Sequence, residues 1–291
     1  MKTFLNLKWL LMLIASMLIF GTNGLLVSHI SLSSAEIVLF RTVFGSLFLF
    51  LVLALRKGFD RQSAKADMPY NIFAGLALGM NWVLLFEAYR KASVSIATLI
   101  YYCGPMLVMA LSPVLFKEKL TRRKILCLLL VAAGMVLVTG TAGSVSSSGM
   151  LFAAGAALLY AFIVICSKKV THMKGMNLAF TEILISFGVI LVYLPLSGVH
   201  LPVVPEKADL LWLVVLGIVN TGVAYFLYFS AMQQLPAQSV SIVSYLDPLS
   251  SLVFAALFLP GERMTLIQSL GAVLILGGAV LSELKFRRTD S

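Results

Sequence analysis

Apolar runs of about 20 residues, each closed by a short polar or basic stretch, recur along the whole chain. The runs lie at residues 9–27, 35–55, 70–89, 95–116 and 125–139, then near 150–167, 178–196, 210–230, 239–259 and 266–284. At 1.5 Å of rise per residue, a helix of about 20 residues matches a hydrocarbon core about 30 Å thick. The pattern therefore predicts an all-α membrane protein with ten transmembrane helices. Lys2 and Lys8 before the first run also suit a signal peptide, but no small-x-small cleavage site follows, so the run is read as a span. An uncharged stretch, GTAGSVSSSG, separates residues 1–145 from residues 146–291.

The two parts resemble one another. ATLIYYCGP laid over VSIVSYLDP pairs Thr98 with Ser241, Tyr102 with Tyr245 and Pro105 with Pro248. After one inserted residue Glu118 meets Glu262, Thr121 meets Thr265 and Gly134 meets Gly278. Two repeats of five helices each are expected, and an odd number of helices turns the second repeat upside down in the membrane. Inverted duplication of this kind is the architecture of secondary transporters, with the binding site at the midplane between repeats.

Composition fixes the solvent and charge fixes the orientation. Sixty per cent of the residues are hydrophobic and 12% are charged, too few charges to cover a water-facing surface. The net charge of +10 comes from short basic clusters between apolar runs, which excludes a nucleic-acid groove and fits the positive-inside rule. With the N-terminus inside, seventeen of the 22 Lys and Arg residues fall on the inner side. Arg90, Lys91, Lys207 and Arg263 fall outside and Arg41 lies within a span, so both termini are expected in the cytoplasm. The turn KEKLTRRK is strongly basic, whereas its repeat PGERMTLIQ carries only Arg263, as an inverted repeat requires.

The five-plus-five pattern, the paired Pro-to-Glu-Thr-to-Gly segments and the arginine of AEIVLFRTVFGSLFLF make the chain resemble the EamA-like family of the drug/metabolite transporter superfamily. The resemblance covers nearly the whole chain. It implies a carrier of the bacterial inner membrane, a helical bundle around a central cavity, and export of amino acids or related metabolites.

Candidate binding residues follow from helical spacing. Thr98, Tyr101, Tyr102 and Pro105 share one face of the fourth span, and Ser241, Ser244, Tyr245 and Pro248 share one face of the ninth. Each proline removes a backbone donor, so a carbonyl is left to face a cavity or a partner. Asn23 with Ser16 and Phe20, Asn81 with Trp82, and Tyr225 and Tyr228 with Thr221 and Asn220 add further polar or aromatic stripes. The competing reading of all these hydroxyls and amides is helix-to-helix hydrogen bonding. Aromatic walls suit an apolar, aromatic or cationic solute.

Ionisable residues inside spans are costly and need partners. Arg41 is expected to meet Glu87 across the bundle, with Glu182 as second choice. Glu87 and Asp247 are coupling candidates, because a carboxyl in a low-dielectric span can alternate between a proton and a substrate. Glu118 and Glu262 are expected to cap the turns into the fifth and tenth helices. The cysteines and histidines show no metal-ligand spacing, and no phosphate-cradling glycine loop is present. The sequence thus reads as a non-enzymatic secondary transporter working by alternating access, without a cofactor, whose partners are a small-molecule substrate, the lipid bilayer and a coupling proton. A lipid or drug flippase of the same fold and a non-transporting membrane scaffold are the alternatives.

Overall fold

The computed structural model describes residues 2–60, 65–91, 94–139, 146–173, 175–198, 204–258 and 265–283. Helix dominates and no strand occurs among them. The first part holds α1 (Lys2–Gly21), α2 (Asn23–Val27), α3 (Ser34–Leu55), α4 (Met68–Lys91), α5 (Val94–Tyr101), α6 (Cys103–Phe116) and α7 (Arg122–Thr139). The second holds α8 (Ser147–Lys169), α9 (Met176–Leu196), α10 (Lys207–Val215), a π-helical segment (Leu216–Val223), α11 (Ala224–Gln234), α12 (Ala237–Val243), α13 (Leu246–Phe258) and α14 (Leu266–Glu283). Among the described residues seven helical stretches are long and apolar enough to cross a membrane, and shorter apolar helices run over Cys103–Phe116 and Leu266–Ser282.

The helix breaks follow from the prolines. The fourth run is divided at Tyr102, three residues before Pro105, and the ninth at Ser244 and Tyr245, three residues before Pro248. A proline cannot donate to the carbonyl four residues back, so the helix loosens on its N-terminal side. The Tyr245 hydroxyl donates to the Tyr102 carbonyl at 2.7 Å, and the two rings lie 5.6 Å apart. Repeat-related tyrosines therefore meet, one satisfying the backbone of the other.

The helices pack as α4 against α8 and α9, α9 also against α3, α1 against α11 and α13, and α7 against α14. The last pair needs glycine. A Cβ on Gly134 would stand 2.6 Å from the Gly271 carbonyl, and one on Gly278 would stand 2.6 Å from Val131 Cγ2. Residues 127–134 thus face 271–278 in opposite order, and the two helices run antiparallel. Thr121 and Thr265 act alike at their starts: Thr121 Oγ1 accepts from the Lys124 N–H, and Thr265 Oγ1 from the Gln268 N–H.

The connecting segments gather at two ends. At one, rich in Lys and Arg, the Asp67 carboxylate accepts from the His172 and Met173 N–H groups, both at 2.7 Å, with His172 Nδ1 3.1 Å away. Burial pushes the Asp67 carboxyl up, but these hydrogen bonds outweigh it and hold the group below the usual carboxylate range. Glu118 lies at the same end, and its role differs from the expected one. Lys117, left-handed at φ 56°, ends α6 and turns the chain. The Glu118 carboxylate then accepts from the Ala237 and Gln238 N–H groups at 2.6 and 3.2 Å. It therefore caps α12, in the other half of the chain, while Thr121 serves the helix that follows. Glu262 lies outside the described residues.

Candidate functional site

Where α3, α4, α5, α8, α11 and α13 converge, polar and aromatic side chains cluster around two opposite charges. Arg41 is buried, and of its five guanidinium N–H groups the one on Nε donates to Thr221 Oγ1 at 3.1 Å. Its guanidinium carbon lies 4.6 Å from the centre of the Trp82 ring, a cation–π arrangement. The π-helical segment explains Thr221. Its hydroxyl donates to the Leu216 carbonyl five residues back at 3.0 Å, and the widened turn carries the oxygen toward α3.

The carboxylate that shares this cluster with Arg41 is that of Asp247, linked to it through Trp82, Tyr225, Tyr228, Tyr160, Tyr101 and Tyr102. Glu87 and Glu182, the partners that the sequence suggests for Arg41, both lie elsewhere. Glu87 accepts from the Tyr193 hydroxyl at 3.2 Å, in a separate cavity of about 360 Å³ beside the start of α3. Glu182 is fully buried between α8 and α9. Glu87 meets Tyr193 of α9 and Glu182, on α9, meets Ser167 of α8, whereas Arg41 turns toward the π-helical segment.

Asp247 is half-buried in the first turn of α13 and accepts from the Tyr102 hydroxyl at 2.8 Å. Around this pair stand Tyr101, Tyr160, Tyr225 and Tyr228. The Tyr101 ring lies 5.4 Å from Tyr102 and 5.8 Å from Tyr160, and Tyr225 lies 4.8 Å from Phe20 and 5.8 Å from Trp82. The Tyr160 hydroxyl stands 3.3 Å from that of Tyr228 and 3.0 Å from Ser244 Oγ. Tyr101, Tyr160 and Tyr225 are half-buried, while Tyr102 and Tyr228 are nearly closed off.

Other residues singled out from the sequence hold the frame. Tyr245 is 1% exposed, and the Ser241 and Ser244 hydroxyls bond the Ala237 and Val240 carbonyls of their own helix. Asn81 donates to the Ala156 carbonyl at 2.7 Å and ties α4 to α8. Asn23 accepts from Asn220 at 3.1 Å, joining the end of α1 to the π-helical segment. Thr98 lies 3.5 Å from the Tyr89 hydroxyl. Tyr160 and Tyr89 escaped the sequence reading; for Tyr160 the available signal is a single tyrosine in the middle of an otherwise apolar span.

Long apolar helices packed around an interior cluster that holds a guanidinium, a carboxylate and several tyrosine hydroxyls define a multi-pass membrane protein. The chain belongs to the EamA-like transporter family, whose model matches residues 7–140 and again 147–284. It is 31% identical over 278 residues to the uncharacterized transporter YxxF of Bacillus subtilis, covering 93% of this chain and 88% of that one. It is 25% identical to the uncharacterized inner membrane transporter YicL of Salmonella typhimurium over 97% of both chains. A solved crystal structure at 20% identity has the same fold, with a TM-score of 0.83 over 94% of this chain and 97% of its own.

Proposed function

We propose that this membrane transporter carries small zwitterionic metabolites, amino acids or related amines, across the bacterial inner membrane, in the direction of export. One observation carries the reading: Arg41, over the Trp82 ring, and Asp247, bonded to the Tyr102 hydroxyl, stand on one continuous cluster of aromatic side chains. A guanidinium suits a carboxylate and a carboxylate suits an ammonium group. The rings between them suit an apolar or aromatic body. Such a solute enters by satisfying both charges at once, whereas a simple amine or a simple acid leaves one of them unpaired in a low-dielectric interior.

Alternating access is the mechanism, with ten spans in two inverted repeats, residues 1–145 and 146–291. The antiparallel pairing of α7 with α14, the matching Thr121 and Thr265 caps and the two family matches support this arrangement. The basic end is the cytoplasmic one and holds both termini. Three ties close it. Glu118 caps α12, Gln238 Nε2 donates to Ser112 Oγ at 2.8 Å, and Lys168 Nζ donates to the Met232 and Leu235 carbonyls at 3.0 and 2.6 Å. Opening to the cytoplasm requires α12 to leave Glu118, while the tyrosine cluster moves with it.

The test is uptake of radiolabelled amino acids and amines into proteoliposomes, with and without a pH gradient, for the intact chain, Asp247→Asn and Tyr245→Phe. Saturable uptake lost in Asp247→Asn supports the reading. Transport that survives Asp247→Asn removes the carboxylate from recognition, and absence of uptake for the whole panel returns weight to a lipid flippase or a scaffold.

A further inference from the structure

Glu182 takes no part in the central cluster, yet it is the most deeply buried carboxyl among the described residues. It lies six residues past the start of α9 with no exposed surface. Its Oε1 is 2.7 Å from Ser167 Oγ, and its Oε2 has no hydrogen-bond partner among the described residues. Ser167 Oγ is also 2.8 Å from the Ile163 carbonyl, one turn back on α8. A serine hydroxyl has one proton to give. If it goes to Ile163, the 2.7 Å contact with Glu182 is a hydrogen bond only when the glutamate is the donor. A protonated Glu182 satisfies every contact, leaving only a neutral carbonyl oxygen unpaired.

Among the described residues the surroundings offer no substitute for that proton. On α8 the nearest titratable group is the Cys166 thiol, while Lys168 is spent on the Met232 and Leu235 carbonyls and Lys169 lies 5.8 Å over the Tyr70 ring. On the α4 side Asn71 donates to Thr181, and Asp67 faces His172. Arg41 on α3, and Tyr225 and Tyr228 on α11, belong to the central cluster. An ionised carboxylate there would keep a single hydrogen bond and no counter-charge among the described residues, which a low-dielectric interior disfavours.

We propose that Glu182 is a proton-binding site of this transporter, separate from the substrate site, and that it carries the coupling proton. This rests on the transport reading above. Loss of the proton turns the Ser167 hydroxyl from Ile163 to Glu182 and frees the Ile163 carbonyl of its side-chain hydrogen bond on α8. The next residue, Lys168, is the one that fastens the C-terminal end of α11, just before α12, at the basic end. Proton binding is thereby linked to closure of that end, and the proton exchanges with cytoplasmic water when it opens.

Infrared spectra of the full chain in lipid nanodiscs, titrated from neutral to alkaline pH, test the site without any substrate. The expected result is a protonated-carboxyl band at neutral pH that is lost in Glu182→Gln, retained but shifted in Ser167→Ala, and removed from the intact chain by alkali. The absence of a band assignable to Glu182 at neutral pH overturns the proposal and leaves the central site untouched. In proteoliposomes, Glu182→Gln should lose all response of amino-acid uptake to the pH gradient and keep exchange of the same amino acid. A Glu182→Gln protein that still responds to the gradient also overturns the coupling role. If the intact chain moves nothing on the panel while the band is present, the transport reading fails and the protonated site stands.

Discussion

Replacing Glu118 with alanine removes the cap that joins the two halves at the basic end. The carboxylate accepts two N–H groups of α12, at 2.6 and 3.2 Å, and Pro236 at the N-cap position supplies no side-chain substitute. A lost N-cap costs about 1 kcal/mol, and hydrogen bonds to a charged group are each worth about 1.5–3 kcal/mol. Glu118 is half-buried, so water recovers part of this after truncation. A net cost of about 2 kcal/mol remains, which moves the closed-to-open equilibrium by roughly 30-fold. The assay is labelling of a cysteine at Ser241, buried one turn inside α12, in a background without Cys103, Cys127 and Cys166. A membrane-impermeant maleimide applied from the basic side should react about 30-fold faster in Glu118→Ala, and less so in Glu118→Gln, which keeps one acceptor. An unchanged rate, or an increase only from the opposite side, would refute the latch.

Other substitutions reach different parts of the account. Arg41→Lys keeps the charge but loses the flat stacking on Trp82 and the Nε bond to Thr221, so amino-acid affinity should fall about ten-fold or more by equilibrium binding. Gly278→Ala places a methyl 2.6 Å from Val131 Cγ2 and 2.9 Å from the Cys127 carbonyl. Overpacking of this kind costs about 1–3 kcal/mol and should lower the thermal-shift midpoint. Because Asp67 is held below its unfolded value of about 3.9, its contribution is complete above that pH and disappears as pH falls through the lower folded value. Asp67→Asn should therefore be less stable near neutrality and show a shallower acid-side loss; an unchanged acid profile would contradict the assigned hydrogen bonds.

The repeat was the most legible feature of the sequence because duplicated residues keep duplicated jobs. Thr121 and Thr265 cap equivalent helices, Gly134 and Gly278 open the same contact from both sides, and Tyr102 and Tyr245 meet. Polar stripes were visible too, but spacing says which residues share a face and not which way the face is turned. Ser241 and Ser244 illustrate the limit, since their hydroxyls bond their own helix. Arg41 illustrates another. Depth pointed to Glu87, whereas its rotation is set by a π-helical turn in α3's neighbour that no local pattern announces. Glu118 was misjudged for a related reason, because the left-handed Lys117 aims its side chain across the repeat boundary.

Recognition of both charges of one solute is the central claim, and a matched trio tests it: an aromatic amino acid, the amine lacking its carboxylate, and the acid lacking its amino group. Binding of each to the intact chain, Arg41→Lys and Asp247→Asn should be measured by competition against a radiolabelled amino acid. The account predicts that the intact chain prefers the amino acid to both relatives. Arg41→Lys, which keeps the charge without the planar fork, should narrow the preference over the amine, and Asp247→Asn should lose the preference over the acid. Equal binding of all three by the intact chain, or loss of both preferences together in either variant, would contradict it.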